Sequence, residues 1–449
     1  MPGSRSHHSK RLALVYLALA SVGAACMVYY HTALFLPRVQ QASAAKNLDG
    51  GYSFGRDFYP IWLTARVAIH SHRDLYSPEM TREIQIGLFG RPLDAGIPTD
   101  PLTDYRTFAY PAFTDLLFWP TASLPFPTVR VLMAALLAAL TVTSILFWIS
   151  ALEWHIGAIW IGVVAVLTLG SYPVLEGLHA NQLGLAVGFL LAAALLAIRR
   201  ERYLFAGFLM ALTTIKPQMS LLVLLYLLLW CSSGDRKRRL FYAGLVSTIA
   251  LLSGAALLVW PQWVASWLLV LFAYHRYARP PLVGEVLAAP LGLWAGSAAV
   301  LLLVSFLLLA LMVIWRGRSN GSDSREFWMI ISALLGITSI TLLPGQAVHD
   351  HVILLPAIFL VAMQWGAMGT DWLSRLLRRI GLAVLVWPYL AACVLLAARP
   401  LLTADVFYSK AVFALPLRTA AVFPFVVLGL LMLVWRGSTG MAKEKSAAI

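Results

Sequence analysis

One segment of the chain combines residue types that can carry out acid–base chemistry. It reads SFGRDFYPIWLTARVAIHSHRDLYSPE, residues 53–79, and mixes acids, bases and histidines with aromatic side chains after a long apolar run. Phe58, Ile61 and Trp62 recur at helical spacing, which predicts a short amphipathic helix lying along a membrane surface. Asp57 stands at the start of that helix, where a carboxylate can cap free backbone amides or accept a proton as a general base. The residues alone leave both roles open.

A second candidate, Lys216, lies at the midpoint of the apolar run 203–231 and is followed by Pro217. Proline breaks or kinks a helix, and basic clusters flank this run at both ends. We therefore predict a re-entrant helical hairpin whose halves of about 13 residues each reach ~20 Å. A lysine at that depth is unfavourable in lipid, so it is expected to face a polar cavity. The alternative is a lysine that snorkels to headgroups or pairs with a carboxylate for packing.

Three further polar clusters lie at predicted outer ends of helices: EGLHANQ at 176–182, YHRYARPP at 274–281 and GQAVHDH at 345–351. We expect them to ring the cavity into which Lys216 projects. Their histidines and arginines can bind a phosphate, and their amides suit sugar hydroxyls. The candidate phosphate- and sugar-binding residues are Arg56, Tyr110, His179, Asn181, Gln182, Lys216, Arg276, His349, Asp350 and His351.

The composition indicates the kind of protein that must position these residues. Of 449 residues, 60% are hydrophobic and only 12% are charged, whereas soluble domains carry about 25% charge. We predict one all-α polytopic membrane domain, residues 1–449, with about ten full transmembrane helices besides the hairpin. The predicted crossings are 12–36, 128–150, 155–174, 183–198, 240–260, 291–315, 327–345, 352–368, 380–398 and 419–435.

The net charge of +14 does not indicate nucleic-acid binding, because the basic residues cluster in short loops, as the positive-inside rule requires. A cytoplasmic N-terminus and alternating sides place every short basic cluster inside. These clusters are 199–202, 235–239, 316–325, 374–379 and 436–445. The loop 37–127, with Asp57 and its amphipathic helices, then lies outside. We predict a multi-pass protein of the cell inner or plasma membrane, with both termini cytoplasmic and its active site on the extracytoplasmic side.

Several kinds of chemistry lack their sequence motifs. There is no phosphate-binding P-loop, no dinucleotide GxGxxG, no HExxH and no GxSxG. Cys26, Cys231 and Cys393 lie far apart in the sequence and show no metal-binding spacing. We expect no cofactor, and a divalent metal is not implied.

The string GRDFYPIWLTARVAIHSHRDLY, residues 55–76, resembles the first-loop signature of the GT-C glycosyltransferases, and most closely that of glycosyltransferase family 87. Asp57-Phe58 matches the Asp-Phe pair of the signature, and DLY at 74–76 matches its Asp-x-Tyr. Four further motifs follow in order up to about residue 360. They are FAYPAF for Tyr-Pro-Pro with Ala112 at the second proline, HANQLG for a reordered Gly-Gln-x-Asn, Lys216-Pro217, and HDHVILLP for the cluster before V-x-L-L-P.

The resemblance implies a GT-C-like fold in which Asp57 is the catalytic base. It implies transfer of a hexose, with mannose favoured, from a polyprenyl-phosphate-sugar donor to a hydroxyl of a lipid or glycan acceptor, with inversion. The bilayer and these two substrates are the expected partners. Two alternatives stay open: the same architecture with a pentose or aminosugar donor, and a lipid or glycan transporter. A transporter is disfavoured because the sequence shows no internal repeats.

Overall fold

The computed structural model confirms an all-helical polytopic chain. It describes residues 3–447 except 49, 72, 95, 98–99, 101–104, 234, 278–280, 346 and 370, and leaves out the side chains of 3–9, 69–71, 274–277, 367 and 437–447. The described residues contain no named strand, only an isolated bridge between Leu282 and Pro344. Helices prevail because lipid offers backbone N–H and C=O groups no other partners.

The α-helices of the described residues are, in chain order, α1 Gly3–Tyr29, α2 Leu36–Ala44, α3 Tyr59–Ser71, α4 Pro78–Phe89, α5 Phe113–Phe118, α6 Phe126–Ala151, α7 Ala158–Leu169, α8 Tyr172–Ala180, α9 Gly184–Arg199, α10 Tyr203–Leu212, α11 Pro217–Ser232, α12 Leu240–Val259, α13 Trp263–Tyr277, α14 Val283–Ala288, α15 Ala295–Gly317, α16 Arg325–Thr341, α17 Leu355–Met363, α18 Trp372–Ala398, α19 Ala404–Phe407, α20 Lys410–Phe413 and α21 Phe423–Ala447. A π-helix, Tyr30–Phe35, joins α1 to α2. The 3-10 segments are Trp119–Ser123, Thr213–Ile215, Ala289–Trp294, Val348–Leu354, Trp365–Ala367, Arg399–Leu401 and Leu415–Leu417.

Five helical stretches of the described residues are long and apolar enough to cross a membrane: Lys10–Ala44, Phe126–Ala151, Leu240–Val259, Val283–Gly317 and Trp372–Leu401. The axis bends by 59° between α7 and α8, and the two helices together form a sixth candidate span if they are counted as one broken helix. Several of the other predicted crossings are shorter apolar helices; α9, for example, has 16 residues. The structure therefore has apolar helices at the predicted positions; five or six of them are candidate full-length spans, and the others are shorter.

The run 203–231 forms the predicted hairpin. It consists of α10 and α11, separated by a 3-10 turn and by Lys216. The ring of Tyr203, at the start of α10, lies 6.2 Å from the ring of Trp230, near the end of α11. The chain therefore returns to the place where it entered, and Lys216 lies at the apex.

The predicted cytoplasmic loops meet one another around the open end of this hairpin. The Arg199 guanidinium donates to the carbonyl of Ser322 at 3.3 Å. The Trp230 indole donates to the carbonyl of Asn320 at 2.6 Å, and the Arg238 guanidinium lies 4.0 Å from the centre of the Trp230 ring. Three basic loops thus meet at the open end of the hairpin, and Lys216 lies at the opposite end of the hairpin, at its apex.

The amphipathic helix after Asp57 is α3, and its apolar face is buried in protein. Phe58 and Ile61 are fully buried, and the Trp62 indole donates to the carbonyl of Leu124 at 3.0 Å. The expectation that α3 lies along a membrane surface is therefore wrong for this face. The 3-10 segment Trp119–Ser123 and α5 cover it, which fixes the helix that begins just after Asp57.

Close packing of α10 against α12 generates the first prediction. A Cβ at Gly244 would overlap the backbone oxygen of Leu204, whereas a Cβ at Gly254, on the same helix, would meet nothing within 4 Å. We expect Gly244→Ala to lower the free energy of unfolding by about 1–3 kcal/mol, because backbone atoms cannot move aside easily. Gly254→Ala is the matched control and should be neutral or slightly stabilising. Unfolding in mixed detergent micelles measures both, and equal stability of the two variants would contradict the packing.

Candidate active site

A cavity of about 930 Å³ surrounds the apex of the hairpin. Its polar lining comes from the outer loop, α8 and the apex, and from the segment before α17. The polar residues include Lys46, Arg56, Asp57, Arg106, Tyr110, Glu176, Gln182, Lys216, Gln218, His349 and Asp350. Apolar side chains line other parts of it: Phe35, Val39, Ile215, Trp267, Leu271 and Leu417. The cavity thus offers charged groups and an apolar wall to the same ligand.

The backbone at the end of α8 positions Asp57. The amide of Gly55 donates to the carbonyl of His179 at 2.8 Å, and the amide of Asp57 donates to the carbonyl of Ala180 at 3.0 Å. These carbonyls end a helix and have no partner within it, so the outer loop satisfies them. Gly55 has φ of +83°, a conformation that L side chains rarely adopt, and its Cβ position is crowded by Arg130.

The Asp57 carboxylate is surrounded by side-chain donors. Oδ1 accepts a short hydrogen bond from Arg106 and lies 3.7 Å from Nε of Arg56. Oδ2 accepts from the Gln182 amide at 2.8 Å. Burial alone would raise the pKa of the Asp57 carboxyl, but the cations, Arg106 first and then Arg56, outweigh burial and hold that pKa well below its usual range. The two arginines therefore favour the ionised form of Asp57.

A second carboxylate holds Arg56 in place. Arg56 pairs with Glu176 of α8, and Glu176 also contacts Nε2 of His31 at 3.0 Å. His31 is buried in the π-helix of the first membrane-spanning stretch, an irregularity that is frequent at functional sites. The charges of the cavity are thus tied to the first membrane helix.

Gln182 links Asp57 to the hairpin apex. Its side-chain oxygen accepts from Nζ of Lys216 at 3.2 Å and from the Tyr110 hydroxyl at 3.3 Å. Lys216 also pairs with both oxygens of Asp350, at 2.7 and 2.8 Å. Lys216 therefore faces the cavity and also pairs with a carboxylate, so the structure has features of both roles that the sequence left open.

The other predicted site residues have different positions. Asn181 is fully buried in a left-handed turn after α8, and its amide donates to the carbonyl of Arg130 at 2.7 Å. Nε2 of His179 lies 3.0 Å from the carbonyl of Tyr52. His349 lines the cavity 3.6 Å from Asp350, whereas His351 is buried outside the lining. The side chain of Arg276, near the end of α13, lies outside the described residues.

The sequence reasoning missed three residues of this network: Arg106, Glu176 and His31. His31 and Glu176 lie in apolar helical stretches, where an unpaired polar or charged side chain is energetically unfavourable. Their positions in the sequence therefore indicated that both have partners. The position of Arg106 carried no such signal, because it stands in an irregular segment of the outer loop. Among the described residues no group of three or more His, Cys, Asp or Glu side chains could hold a metal ion.

Removing the charge of Glu176 should destabilise the fold. Glu176→Gln leaves Arg56 buried with one carboxylate fewer, and loss of one partner of a buried pair costs about 3 kcal/mol or more of unfolding free energy. The matched control is Glu153→Gln, since Glu153 also pairs with an arginine but is 61% exposed. We expect the control to change stability by less than about 1 kcal/mol. Unfolding in mixed detergent micelles measures the loss of unfolding free energy in both variants. Equal losses would show that the Glu176 pair contributes no more to stability than an exposed pair.

Comparison with known proteins identifies a family. The family model of glycosyltransferase family 87 matches residues 108–344, more than half of the chain. Asp57 precedes that stretch and Asp350 follows it, yet the structure pairs Asp57 with Gln182 and Asp350 with Lys216, and both of these partners lie within it. No curated protein and no solved structure matched the chain. The chain is a membrane-spanning glycosyltransferase and belongs to glycosyltransferase family 87.

Proposed function

We propose that this glycosyltransferase moves a hexose, with mannose favoured, from a polyprenyl-phosphate-sugar donor to a hydroxyl of a lipid or glycan acceptor. The observation that carries the proposal is the cavity, where Asp57 and Lys216 stand beside an apolar wall. A donor with a hydrocarbon tail, a phosphate and a sugar needs all three features at once. A nucleotide sugar needs no apolar wall, and the sequence has none of the nucleotide-binding motifs named above.

The reaction follows from the chemistry of these groups. The acceptor oxygen attacks the anomeric carbon while Asp57 takes the hydroxyl proton. The bond between that carbon and the phosphate oxygen breaks, and the polyprenyl phosphate leaves with an additional negative charge. Lys216 and the arginines of the cavity stabilise this charge. One attacking hydroxyl and one base give inversion at the sugar, without a covalent glycosyl-enzyme.

The grouping of the basic loops supports the orientation that we propose. If these loops are cytoplasmic, the hairpin apex and its cavity are on the extracytoplasmic side of the inner or plasma membrane. Lipid-linked sugars are the activated donors at that side, because nucleotide sugars are made in the cytoplasm. The orientation and the choice of donor therefore support each other.

Asp57→Asn should abolish most of the sugar transfer while the donor still binds. Loss of a general base lowers kcat by about 100- to 10,000-fold. Transfer from synthetic polyprenyl-phosphate-mannose to candidate acceptors measures this, with pentose and aminosugar donors run in parallel to identify the sugar. The control is Asp405→Asn, an exposed acid outside the cavity lining, which should transfer normally. Full activity of Asp57→Asn would rule out the catalytic assignment.

The charge of Lys216 should contribute to phosphate binding. Removing Lys216 alone would leave the buried Asp350 without its lysine partner, so we compare Asp350→Asn with the double variant Lys216→Met/Asp350→Asn. The single variant keeps the cation, and the double variant should bind farnesyl phosphate about 10- to 100-fold more weakly, as expected for a hydrogen bond to a charged group. Equal affinities of the two variants would remove Lys216 from the phosphate site.

A further inference from the structure

The lysine and arginine side chains of the cavity differ in their partners. Among the described residues four of them line it, and three of the four pair with the three carboxylates of the same lining: Arg56 with Glu176, Arg106 with Asp57 and Lys216 with Asp350. Burial lowers the pKa of His349, which also lines the cavity, so this histidine adds no charge near neutral pH. The fourth cation is Lys46, and its positive charge is the one that these carboxylates leave unbalanced.

Lys46 lies in the turn that follows α2. Its side chain is exposed and has no hydrogen-bond or ion-pair partner in the part of the chain that the structure describes. The stretch Lys10–Ala44 is a candidate membrane span, so Lys46 lies just beyond its end, at the level of lipid headgroups. Most exposed lysines are simply solvated, as Lys410 is; Lys46 differs from them because it lines the cavity.

An apolar stripe leads along the helix to Lys46. Phe35, Val39 and Ala42 line the cavity, and together with Lys46 they are spaced by four, three and four residues, which places them on one face of a helix. Phe35 and Val39 are half-buried and Ala42 is exposed, so the described chain leaves this face partly open. At ~1.5 Å per residue the stripe is about 10 Å long from Phe35 to Ala42.

Further apolar residues of the cavity come from the segment after α20. Leu417 and Ala420 line the cavity. The end of α20 is attached to the first membrane-spanning stretch, because the Tyr30 hydroxyl donates to the carbonyl of Phe413 at 2.8 Å. The stripe, together with Leu417 and Ala420, therefore forms an apolar groove that is continuous with the cavity.

The helix that carries the stripe is also connected to the turn before Asp57. The Gln40 amide of α2 donates to the carbonyl of Tyr52 at 3.1 Å, and the Arg56 guanidinium lies 4.8 Å from the centre of the Tyr52 ring. The groove and Lys46 thus reach the cavity from the side of Arg56, which is the neighbour of the proposed base in the chain.

The order of groups along the groove matches one chemical class of ligand. A polyprenyl phosphate has a hydrocarbon chain joined directly to a phosphate, and the groove has apolar side chains followed by a cation. Inorganic phosphate does not need the apolar face, and an uncharged lipid does not need Lys46. The phosphodiester of the proposed donor carries one negative charge, which the unbalanced charge of Lys46 complements.

We propose that Lys46 is a phosphate ligand of the lipid donor, and that Phe35, Val39 and Ala42 hold the part of its hydrocarbon chain next to the phosphate. The inference rests on the proposed function. Lys46 attracts the intact donor, because no carboxylate of the cavity offsets its charge. The paired cations also face the additional charge that builds up as the bond to the sugar breaks. We therefore expect Lys46 to affect donor binding more than the rate of transfer.

Binding of farnesyl phosphate to the full chain in detergent micelles tests the role of Lys46. Lys46→Gln should weaken binding about 10-fold, as expected for loss of a hydrogen bond from a charged group at an exposed position. Lys46→Arg keeps the charge and should bind within about twofold of wild type. The matched control is Lys410→Gln, which removes another exposed lysine outside the cavity lining and should bind normally. Wild-type affinity in Lys46→Gln would overturn the inference.

A second pair of variants tests the groove. Ala42→Asn places an amide on the apolar stripe, whereas Ala44→Asn makes the same change at an exposed residue of α2 outside the cavity lining. Ala42→Asn should weaken binding of farnesyl phosphate by about threefold or more, because the amide loses water where the hydrocarbon chain lies. Ala44→Asn should bind normally. Equal affinities of the two variants would overturn the assignment of the chain to the groove.

Transfer kinetics distinguish the donor from the acceptor, and this inference from the proposed function. Lys46→Gln should raise KM for polyprenyl-phosphate-mannose about 10-fold and leave kcat within about twofold of wild type. A raised KM for the acceptor alone would assign Lys46 to the acceptor and overturn the inference, while the proposed function would stand. If wild type binds no lipid phosphate at all, the proposed donor and the role of Lys46 are both overturned.

Discussion

The pairing of a buried carboxylate with arginines is the interaction on which the candidate site depends. An ionised Asp57 shielded from water is tolerated only with cations against it. Arg56 and Arg106 supply those cations, but a buried guanidinium requires a carboxylate of its own. Glu176 meets that need for Arg56, and His31 in turn contacts Glu176. A single buried carboxylate thus requires a series of partners that ties the loop 37–127 to α8 and to the first membrane helix.

Gln182 extends this series without adding charge. Its amide nitrogen can only donate and its oxygen can only accept, so one side chain satisfies both Asp57 and Lys216 in one orientation. Direct contact of Lys216 with Asp57 would add a third cation to this carboxylate and lower its proton affinity further. The neutral amide instead keeps the two charges apart while fixing their separation. Asp350 balances Lys216 on its other side.

The fold was more predictable from the sequence than the site. Hydropathy and basic loops indicated the helices because lipid allows the backbone few alternatives, and Lys216-Pro217 indicated the hairpin because proline cannot continue a helix. The sequence also indicated Asp57, Gln182 and Lys216 as parts of one cavity. Their partners were harder to find, because Glu176 meets Arg56 across 120 positions of the chain and no local pattern encodes that contact. The burial of α3 against protein was not predicted either, because an amphipathic face packs equally well on lipid or on protein.

The strongly lowered pKa of Asp57 at first argues against its role as a base, since a weak base removes a proton slowly. The same cations also face the leaving group of the proposed reaction. Groups that accelerate a reaction must stabilise the transition state more than the ground state. Cations that only neutralise Asp57 would do the opposite, whereas cations between Asp57 and the phosphate gain a second anionic partner as the bond to the sugar breaks. On the proposed reaction, the arginines therefore aid catalysis only if the phosphate binds on their side of Asp57, and this places the donor between the outer-loop arginines and the apex lysine.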